Sequence, residues 1–310
     1  MFKTIRFAEN NGEPVCIHCG CVAVYTYKCR PKFKCKGCMR QFSLTSGTVF
    51  ASRKMPVRDI LYAIAEFVEG AKGVSAMYLQ RKLQCEYKTA WVLQHKLREA
   101  MSRDVGPEQL RGSVEFDGAV IGGYVKPKNA HKSKSRKTGK EKANARRLPP
   151  HIGPKKLCVF VTRERGPRGR IRTTILRDEA HALPFIRSKV LKGSELHSDK
   201  KVNFNTLVKD YNYHRINHTH YYWTPECSTN LAENYFSMLI RGMRGVYHHI
   251  SHPAYAHAYS EEMAWRLVYK RQPNLEKFES LIHAAARHPT TRFRGMWQKR
   301  SRGNEIVLLR

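Results

Sequence analysis

The chain has 310 residues, of which 57 are lysine or arginine and 25 are aspartate or glutamate. The formal net charge of +32 is spread along the chain, so a polyanion, with nucleic acid first, is the expected partner. No apolar run reaches the length of a membrane span, and the N-terminus lacks a signal-peptide core. We therefore expect a cytoplasmic protein that is not held in a membrane.

The first 50 residues hold a dense cysteine cluster. Cys16 and Cys19 form one Cys-x2-Cys pair, and Cys35 and Cys38 form a second pair after 15 intervening residues. Two such pairs can bind one tetrahedral Zn²⁺ through four thiolates. So small a unit cannot bury much core, and a structural metal would stabilise it. We predict a zinc ribbon over residues 1–50.

The next segment, residues 51–104, has apolar residues at helical spacing, with Ser75 and Thr89 as predicted N-caps. Three helices joined by short turns resemble a helix-turn-helix. Three basic residues lie on the last helix or at its entrance and are candidate DNA contacts: Lys88, Lys96 and Arg98. A helical bundle that only links two domains is the alternative.

Residues 114–123 form a short apolar stretch that ends in glycines and carries Asp117 in its middle. This pattern predicts a strand, and side-chain alternation puts Glu115 and Asp117 on the same face. A carboxylate on a rigid strand in a basic protein suits a metal ion and a phosphate. Alternatively, Asp117 only accepts a hydrogen bond from the turn at Gly118.

A strongly basic segment follows at residues 125–156, with 12 lysines and arginines and one glutamate. Because it has almost no large apolar residues, we expect a flexible loop. The loop would contact the phosphate backbone without reading sequence, or it is merely solvated charge. Four of its residues are candidate DNA contacts: Lys132, Lys134, Arg136 and Lys137.

The rest of the chain alternates strands and helices. Predicted strands cover 157–162, 170–176 and 194–199, a short helix covers 182–190, and a longer helix begins near Ser228. Three strands before the first crossover predict an α/β domain with an RNase H-like mixed sheet and flanking helices over residues 105–270. Residues 271–310 are expected to form a basic C-terminal tail.

Two further acids complete a candidate metal site. Asp199 ends a predicted strand, and Glu233 lies on one face of the helix that begins near Ser228. Mg²⁺ or Mn²⁺ takes a few carboxylates together with water and phosphate oxygens, so Asp117, Asp199 and Glu233 are candidate ligands. The rival acids are Asp178, Glu179, Asp210 and Glu226.

Several segments taken together match one protein family. They are Cys16, Cys19, Cys35 and Cys38, Gly73-Val-Ser75, Lys88-Thr-Ala-Trp91, Val114-Glu-Phe-Asp117, Gly122-Gly123, Asp199, Asn230-x-x-Glu233, Arg241-Gly242 and Gly245-Val-Tyr-His-His-Ile-Ser251. With them the chain resembles the DDE transposases of bacterial insertion sequences, in the group with an N-terminal zinc ribbon.

This resemblance implies an RNase H-like catalytic domain with the triad Asp117, Asp199 and Glu233. It also implies binding of the element's terminal inverted repeats in double-stranded DNA, metal-dependent cleavage, and joining of the cut ends to target DNA. Bringing two ends together implies a homo-oligomer on DNA, acting at the nucleoid.

Two positions depart from the family pattern. Gly118 stands where an acid often follows the first aspartate, and Ile240 stands where a lysine often follows the glutamate. Arg241 lies on a similar face and is a candidate DNA contact in place of that lysine. The departures leave open a decayed transposase that is catalytically inactive and acts as a zinc-dependent DNA-binding regulator. A nuclease of the same fold that cuts without joining is a separate alternative.

Overall fold

The computed structural model describes most of the chain. The described residues are 2–104, 106, 108–121, 157–176, 179–199, 202–216, 227–248, 250, 253–289, 293–294 and 297–298. The predicted basic loop 125–156 lies outside them, together with its four candidate DNA contacts Lys132, Lys134, Arg136 and Lys137.

The N-terminal part is a small antiparallel sheet preceded by helix α1 (Phe2–Arg6). Its strands are β1 (Val24–Thr26), β2 (Lys32–Cys35) and β3 (Gln41–Ser43), in the order β1-β2-β3. Its apolar core is small: the rings of Phe33 and Phe42 lie 5.3 Å apart and pack beside buried cysteines. So little apolar burial is consistent with a unit that depends on a metal.

Five helices form the second region, and they come from both ends of the chain. They are α2 (Val57–Glu69), α3 (Ala76–Leu83), α4 (Tyr87–Asp104), α7 (Pro253–Val268) and α8 (Asn274–Arg287). The hydroxyl of Ser75 accepts from the backbone N–H of Tyr78 and caps α3, as predicted. Helix α4 begins two residues before Thr89, which is therefore not its N-cap.

Helix α8 is the main departure from the predicted domain plan. Residues 271–310 were expected to be a basic tail, but Leu281 and Ile282 of α8 are fully buried against the helices of residues 51–104. The prediction was wrong because it rested on the basic residues near the end of the sequence. Helix α8 itself has an apolar face at helical spacing, which packs on α2 and α4.

The central sheet has five strands in the order β6-β5-β4-β7-β8. Strands β4 (Ser113–Ile121), β5 (Leu157–Glu164) and β6 (Ile171–Leu176) are antiparallel neighbours. Strands β7 (Glu195–Asp199) and β8 (Asn212–Ile216) continue the sheet in parallel with β4. This arrangement confirms the predicted α/β class and the RNase H-like mixed sheet.

Helices cover both faces of this sheet. Helix α5 (Leu183–Lys189) and the 3₁₀ segment Val202–Lys209 pack on the face that carries Phe116 and Phe160. Helices α6 (Asn230–Gly242) and α7 pack on the opposite face, which carries Glu115 and Asp117. Within the described ranges, no helix has both the length and the apolar composition needed to cross a bilayer.

A buried ionic cluster on α7 joins the helical region to the sheet domain. The carboxylate of Glu262 accepts from Arg98 Nε at 2.6 Å, from Arg266 Nε at 2.9 Å and from the Tyr247 hydroxyl at 2.7 Å. Arg266 also donates to the carbonyl of Phe67, at 2.7 Å. Burial alone would raise the pKa of Glu262, but the two guanidinium charges lower it.

We expect Glu262→Gln to lower the free energy of unfolding by about 3–5 kcal/mol, because it leaves two arginines buried without a countercharge. Urea denaturation followed by circular dichroism measures the change. The control Glu279→Gln removes an exposed acid from α8 and should change stability by less than about 0.5 kcal/mol. Equal effects of the two substitutions would show that the cluster does not hold the regions together.

Candidate active site

The register of the sheet brings Asp117 and Asp199 to neighbouring positions. Strands β4 and β7 are parallel, and Glu115 lies opposite His197. Asp117 and Asp199 lie two residues further along their strands, on the same face of the sheet. Asp199 is the last residue of β7. Both carboxylates are partly exposed. An acidic pair therefore lies where β7 ends, at an edge that is open to a ligand.

The carboxylate of Asp117 also accepts from the backbone N–H of Gly118, at 2.8 Å. This is the local hydrogen bond that was expected for Asp117 as the alternative to metal binding. It engages Oδ1 only, and the adjacent Asp199 is not explained by it. The contact therefore orients the Asp117 side chain without excluding a metal.

Glu233 comes to the same face of the sheet from α6. It lies in the first turn of that helix, and α6 packs against β4 and β5. Its Oε1 lies 3.4 Å from the hydroxyl of Thr229, one turn earlier. Glu233 thus lies at the start of a helix that packs on the face of the sheet carrying Asp117 and Asp199.

Glu115 fixes the start of this helix. Its Oε2 accepts from the backbone N–H groups of Leu231 at 2.7 Å and Ala232 at 3.3 Å. The side chain is only 1% exposed. A carboxylate at a helix N-terminus satisfies free N–H groups and lies at the positive end of the helix dipole. Glu115 is two residues before Asp117, so one strand carries an acid and anchors the helix that bears Glu233.

Two arginines complete this anchor: Arg163 near the end of β5 and Arg165 directly after the strand. Arg165 Nε donates to Glu115 Oε1 at 2.9 Å, and its Nη2 donates to the carbonyl of Ser228 at 3.0 Å. Arg163 Nη1 donates to the carbonyl of Leu231 at 2.9 Å. We call Glu115, Arg163 and Arg165 the helix clamp. The sequence alone does not reveal the clamp, because only the fold brings these residues to the start of α6.

A histidine pair lies beside the clamp. His197 stacks on His214 with ring centroids 5.3 Å apart, and its Nε2 lies 2.8 Å from the Ser113 hydroxyl. Burial, assisted by the charge of Arg165, lowers the pKa of His197 to about 4. The ring is therefore neutral at physiological pH, and it adds no positive charge next to Asp199.

The structure gives a physical reason for the glycine at position 118. A Cβ atom there would lie 3.0 Å from both Cγ and Cδ of Glu179. An acidic side chain at this position would therefore require Glu179 to move. Glu179, one of the rival acids, therefore lies beside Gly118 of β4. Two other rival acids, Asp178 and Glu226, lie outside the described residues.

The four cysteines of the predicted zinc site converge. Their sulfur atoms all lie within 4.8 Å of one another, with 3.6 Å between Cys16 and Cys38 and 3.5 Å between Cys19 and Cys35. A tetrahedral Zn²⁺ with bonds of about 2.3 Å sets sulfur separations near 3.8 Å. The backbone N–H groups of Cys38 and Gly37 donate to Cys35 Sγ and help lower the pKa of that thiol. This donor set fits zinc.

The three acids are arranged more loosely than the cysteines. Among the described residues, the cysteine group alone has three or more candidate ligand atoms that close together. Asp117, Asp199 and Glu233 offer hard oxygen donors from two strand positions and one helix. Such a set suits Mg²⁺ or Mn²⁺, which retain waters and take phosphate oxygens instead of a complete protein cage.

The structure separates the candidate DNA contacts into two groups. Lys88 and Arg241 are exposed. Lys96 is 5% exposed and Arg98 is fully buried, so the prediction that these two contact DNA is wrong. The reason is that α4 packs against both α7 and α8, which buries every residue from 92 to 98. Such a helix cannot lie along a DNA groove.

The chain matches a known protein family. A model of the ISXO2-like transposase domain matches residues 109–267, about half of the chain and all the strands of the five-stranded sheet. Comparisons with curated proteins and with solved structures gave no match.

We expect one Zn²⁺ per molecule, measured by metal analysis of the full-length protein after dialysis. Cys35→Ser should lose that zinc and expose the ribbon to protease, because one thiolate of the site is removed. Cys29→Ser is the matched control, since Cys29 is exposed and belongs to neither cysteine pair. Retention of full zinc by Cys35→Ser would contradict the four-cysteine site.

The clamp predicts the local stability of α6. In Glu115→Gln, the amide protons of Leu231 and Ala232 should exchange about tenfold faster, because the charged acceptor at the helix N-terminus is lost. Hydrogen exchange with mass spectrometry measures this. Glu108→Gln removes a largely exposed acid of the same domain and should leave α6 unchanged. Unchanged exchange in Glu115→Gln would refute the anchoring role.

Proposed function

The chain belongs to the ISXO2-like transposase family, a family of insertion-sequence DDE transposases, and we propose that it cuts the ends of its element and joins them to target DNA. The observation that carries this proposal is the side-by-side register of Asp117 and Asp199 beneath the helix that bears Glu233. The family supports phosphoryl-transfer chemistry on DNA in general. The assignment to these residues and this sequence of steps is our proposal.

In this proposal Asp117, Asp199 and Glu233 hold Mg²⁺ or Mn²⁺ at the end of β7. When bound, the ions supply Lewis acidity that activates the attacking oxygen and stabilises the leaving oxygen at phosphorus. The carboxylates offset the ions' charge, and their strands keep them fixed. The clamp holds α6 so that Glu233 does not swing away from the sheet.

The same site would serve two successive reactions. A water would first attack the phosphodiester at the element end and free a 3′-hydroxyl. That hydroxyl would then attack a phosphodiester of the target DNA, releasing a new 3′ end. Both steps are in-line displacements at phosphorus, so the same three carboxylates suffice.

The charge of the chain supports long DNA contacts. A formal charge of +32 draws DNA by counterion release, independently of sequence. Lys88 and Arg241 are exposed and available for phosphate, and the four cysteines provide the donors for a structural zinc. We propose that the zinc ribbon and helical region bind the terminal repeats, and that two chains pair the two ends at the nucleoid.

The test is a cleavage and joining assay on duplexes that carry the boundary sequences of the element, with Mg²⁺ or Mn²⁺. We expect wild type to cut and join, and Asp117→Asn, Asp199→Asn and Glu233→Gln to bind these duplexes normally but to react only at the metal-free rate. Asp210→Asn is the matched control because Asp210 is a rival acid paired with Lys192 on the surface.

Three results would overturn this proposal. Binding by wild type without metal-dependent cleavage would favour the inactive DNA-binding regulator. Cleavage without joining would favour a nuclease. Loss of activity in Asp210→Asn together with full activity in Asp199→Asn would assign the metal site to different acids.

A further inference from the structure

A cavity of about 510 Å³ lies between the helical region and the segment that follows α6. Uncharged residues line it, and six of them have aromatic rings: Tyr87, Trp91, Tyr247, His248, Tyr255 and Tyr259. Its volume is within the range of pockets that bind small organic molecules. The described residues that line it include no lysine, arginine, aspartate or glutamate, although the protein is strongly basic.

Three segments whose motifs stand out in the sequence meet at this cavity, and Tyr255 and Tyr259 of α7 complete its wall. Ser75 comes from the Gly73-Val-Ser75 motif, Trp91 from the start of α4, and residues 245–248 from the segment after α6. Each segment was singled out in the sequence, and none contains a residue of the proposed metal site. Their common function must therefore be sought in the cavity itself.

The backbone around the cavity is specialised. Met243–Tyr247 forms a π-helical turn directly after α6, and His248 follows with φ +57°. π-helical turns and left-handed non-glycine residues occur often at functional sites. Gly73 has φ +94°, and a Cβ atom there would overlap the hydroxyl of Tyr247. A glycine is therefore required for Tyr247 to occupy the wall.

Contacts with one another and with a buried arginine fix the positions of these rings. Trp91 and Tyr255 meet edge to face at 5.3 Å, and Tyr247 and Tyr259 lie 4.2 Å apart. The buried guanidinium of Arg98 lies 4.3 Å from the ring centroid of Tyr259. This cation, paired with Glu262, supports the wall from behind.

We propose that this cavity binds one unstacked nucleobase of the bound DNA. Aromatic side chains stack on the face of any base, and an uncharged wall accepts the base while excluding its phosphates. The exposed Lys88 and Arg244 directly adjoin the lining residues Tyr87 and Gly245 in the chain and are available to the flanking phosphates. This inference rests on the proposed function, because it requires DNA as the ligand.

The test uses the full-length protein and duplexes of the element end. In a series of duplexes, one unpaired adenine is placed at successive positions, and each has a partner with an abasic residue at that position. Fluorescence anisotropy measures the affinity for both. At one position wild type should bind the adenine duplex about tenfold more tightly, since stacking on a side chain contributes roughly 1–3 kcal/mol per base.

Trp91→Ala should abolish this preference, while its affinity for the fully paired duplex stays within about twofold. Trp91→Phe keeps an aromatic face and should retain most of the preference, which separates stacking from misfolding. Tyr62→Ala is the matched control, because Tyr62 is an exposed aromatic residue that does not line the cavity. Its preference should equal that of wild type.

Equal wild-type affinity for adenine and abasic duplexes at every position would overturn the cavity proposal and leave the proposed function standing. A preference that survives in Trp91→Ala would place the base elsewhere. Reduced self-association of Trp91→Ala, with an unchanged adenine preference, would show that a protein side chain fills the cavity. Failure of wild type to bind any of the duplexes would overturn the proposed function as well.

Discussion

The bond between the Glu115 carboxylate and the first turn of α6 is the interaction on which the candidate site depends. Glu115 and Asp117 share one face of β4. Glu115 accepts a hydrogen bond from the backbone N–H of Leu231, and Glu233 lies two residues after Leu231 on the same helix. A buried carboxylate without partners would be strongly unfavourable, but the helix N-terminus and Arg165 compensate its charge. The same contact therefore satisfies a buried acid and fixes the distance between strand and helix.

A second buried acid, Glu262, joins the helical region to the sheet domain. Glu262 joins α7 to Arg98 of α4 and to Tyr247, which follows α6. The helix that bears Glu233 is thereby connected, through the segment after it, to the helices of residues 51–104. The two regions therefore form one packed unit. The aromatic cavity lies at this junction, so its walls depend on the same ionic cluster.

Local patterns in the sequence predicted much of the fold. Cysteine spacing indicated the four-thiolate group, and strand alternation put Asp117 on the same face as Glu115. Three strands before the first crossover indicated the RNase H-like sheet. The errors arose where distant segments decide. Lys96 and Arg98 are residue types typical of a helix surface, but α7 and α8 cover them. The ion-pair partner of Arg98 is Glu262, which is 164 residues away in the sequence. The helix clamp was missed for the same reason, since Glu115 and Leu231 are 116 residues apart.

The central claim is that Asp117, Asp199 and Glu233 form one metal site. It is tested most directly by loading the full-length protein with Fe²⁺, generating hydroxyl radicals with ascorbate and peroxide, and mapping the cut positions by mass spectrometry. The account predicts cuts near residues 117, 199 and 233 in the same molecule, all suppressed by excess Mg²⁺ because the two ions share oxygen ligands. Cuts confined to other segments, or cuts that Mg²⁺ does not suppress, would contradict it.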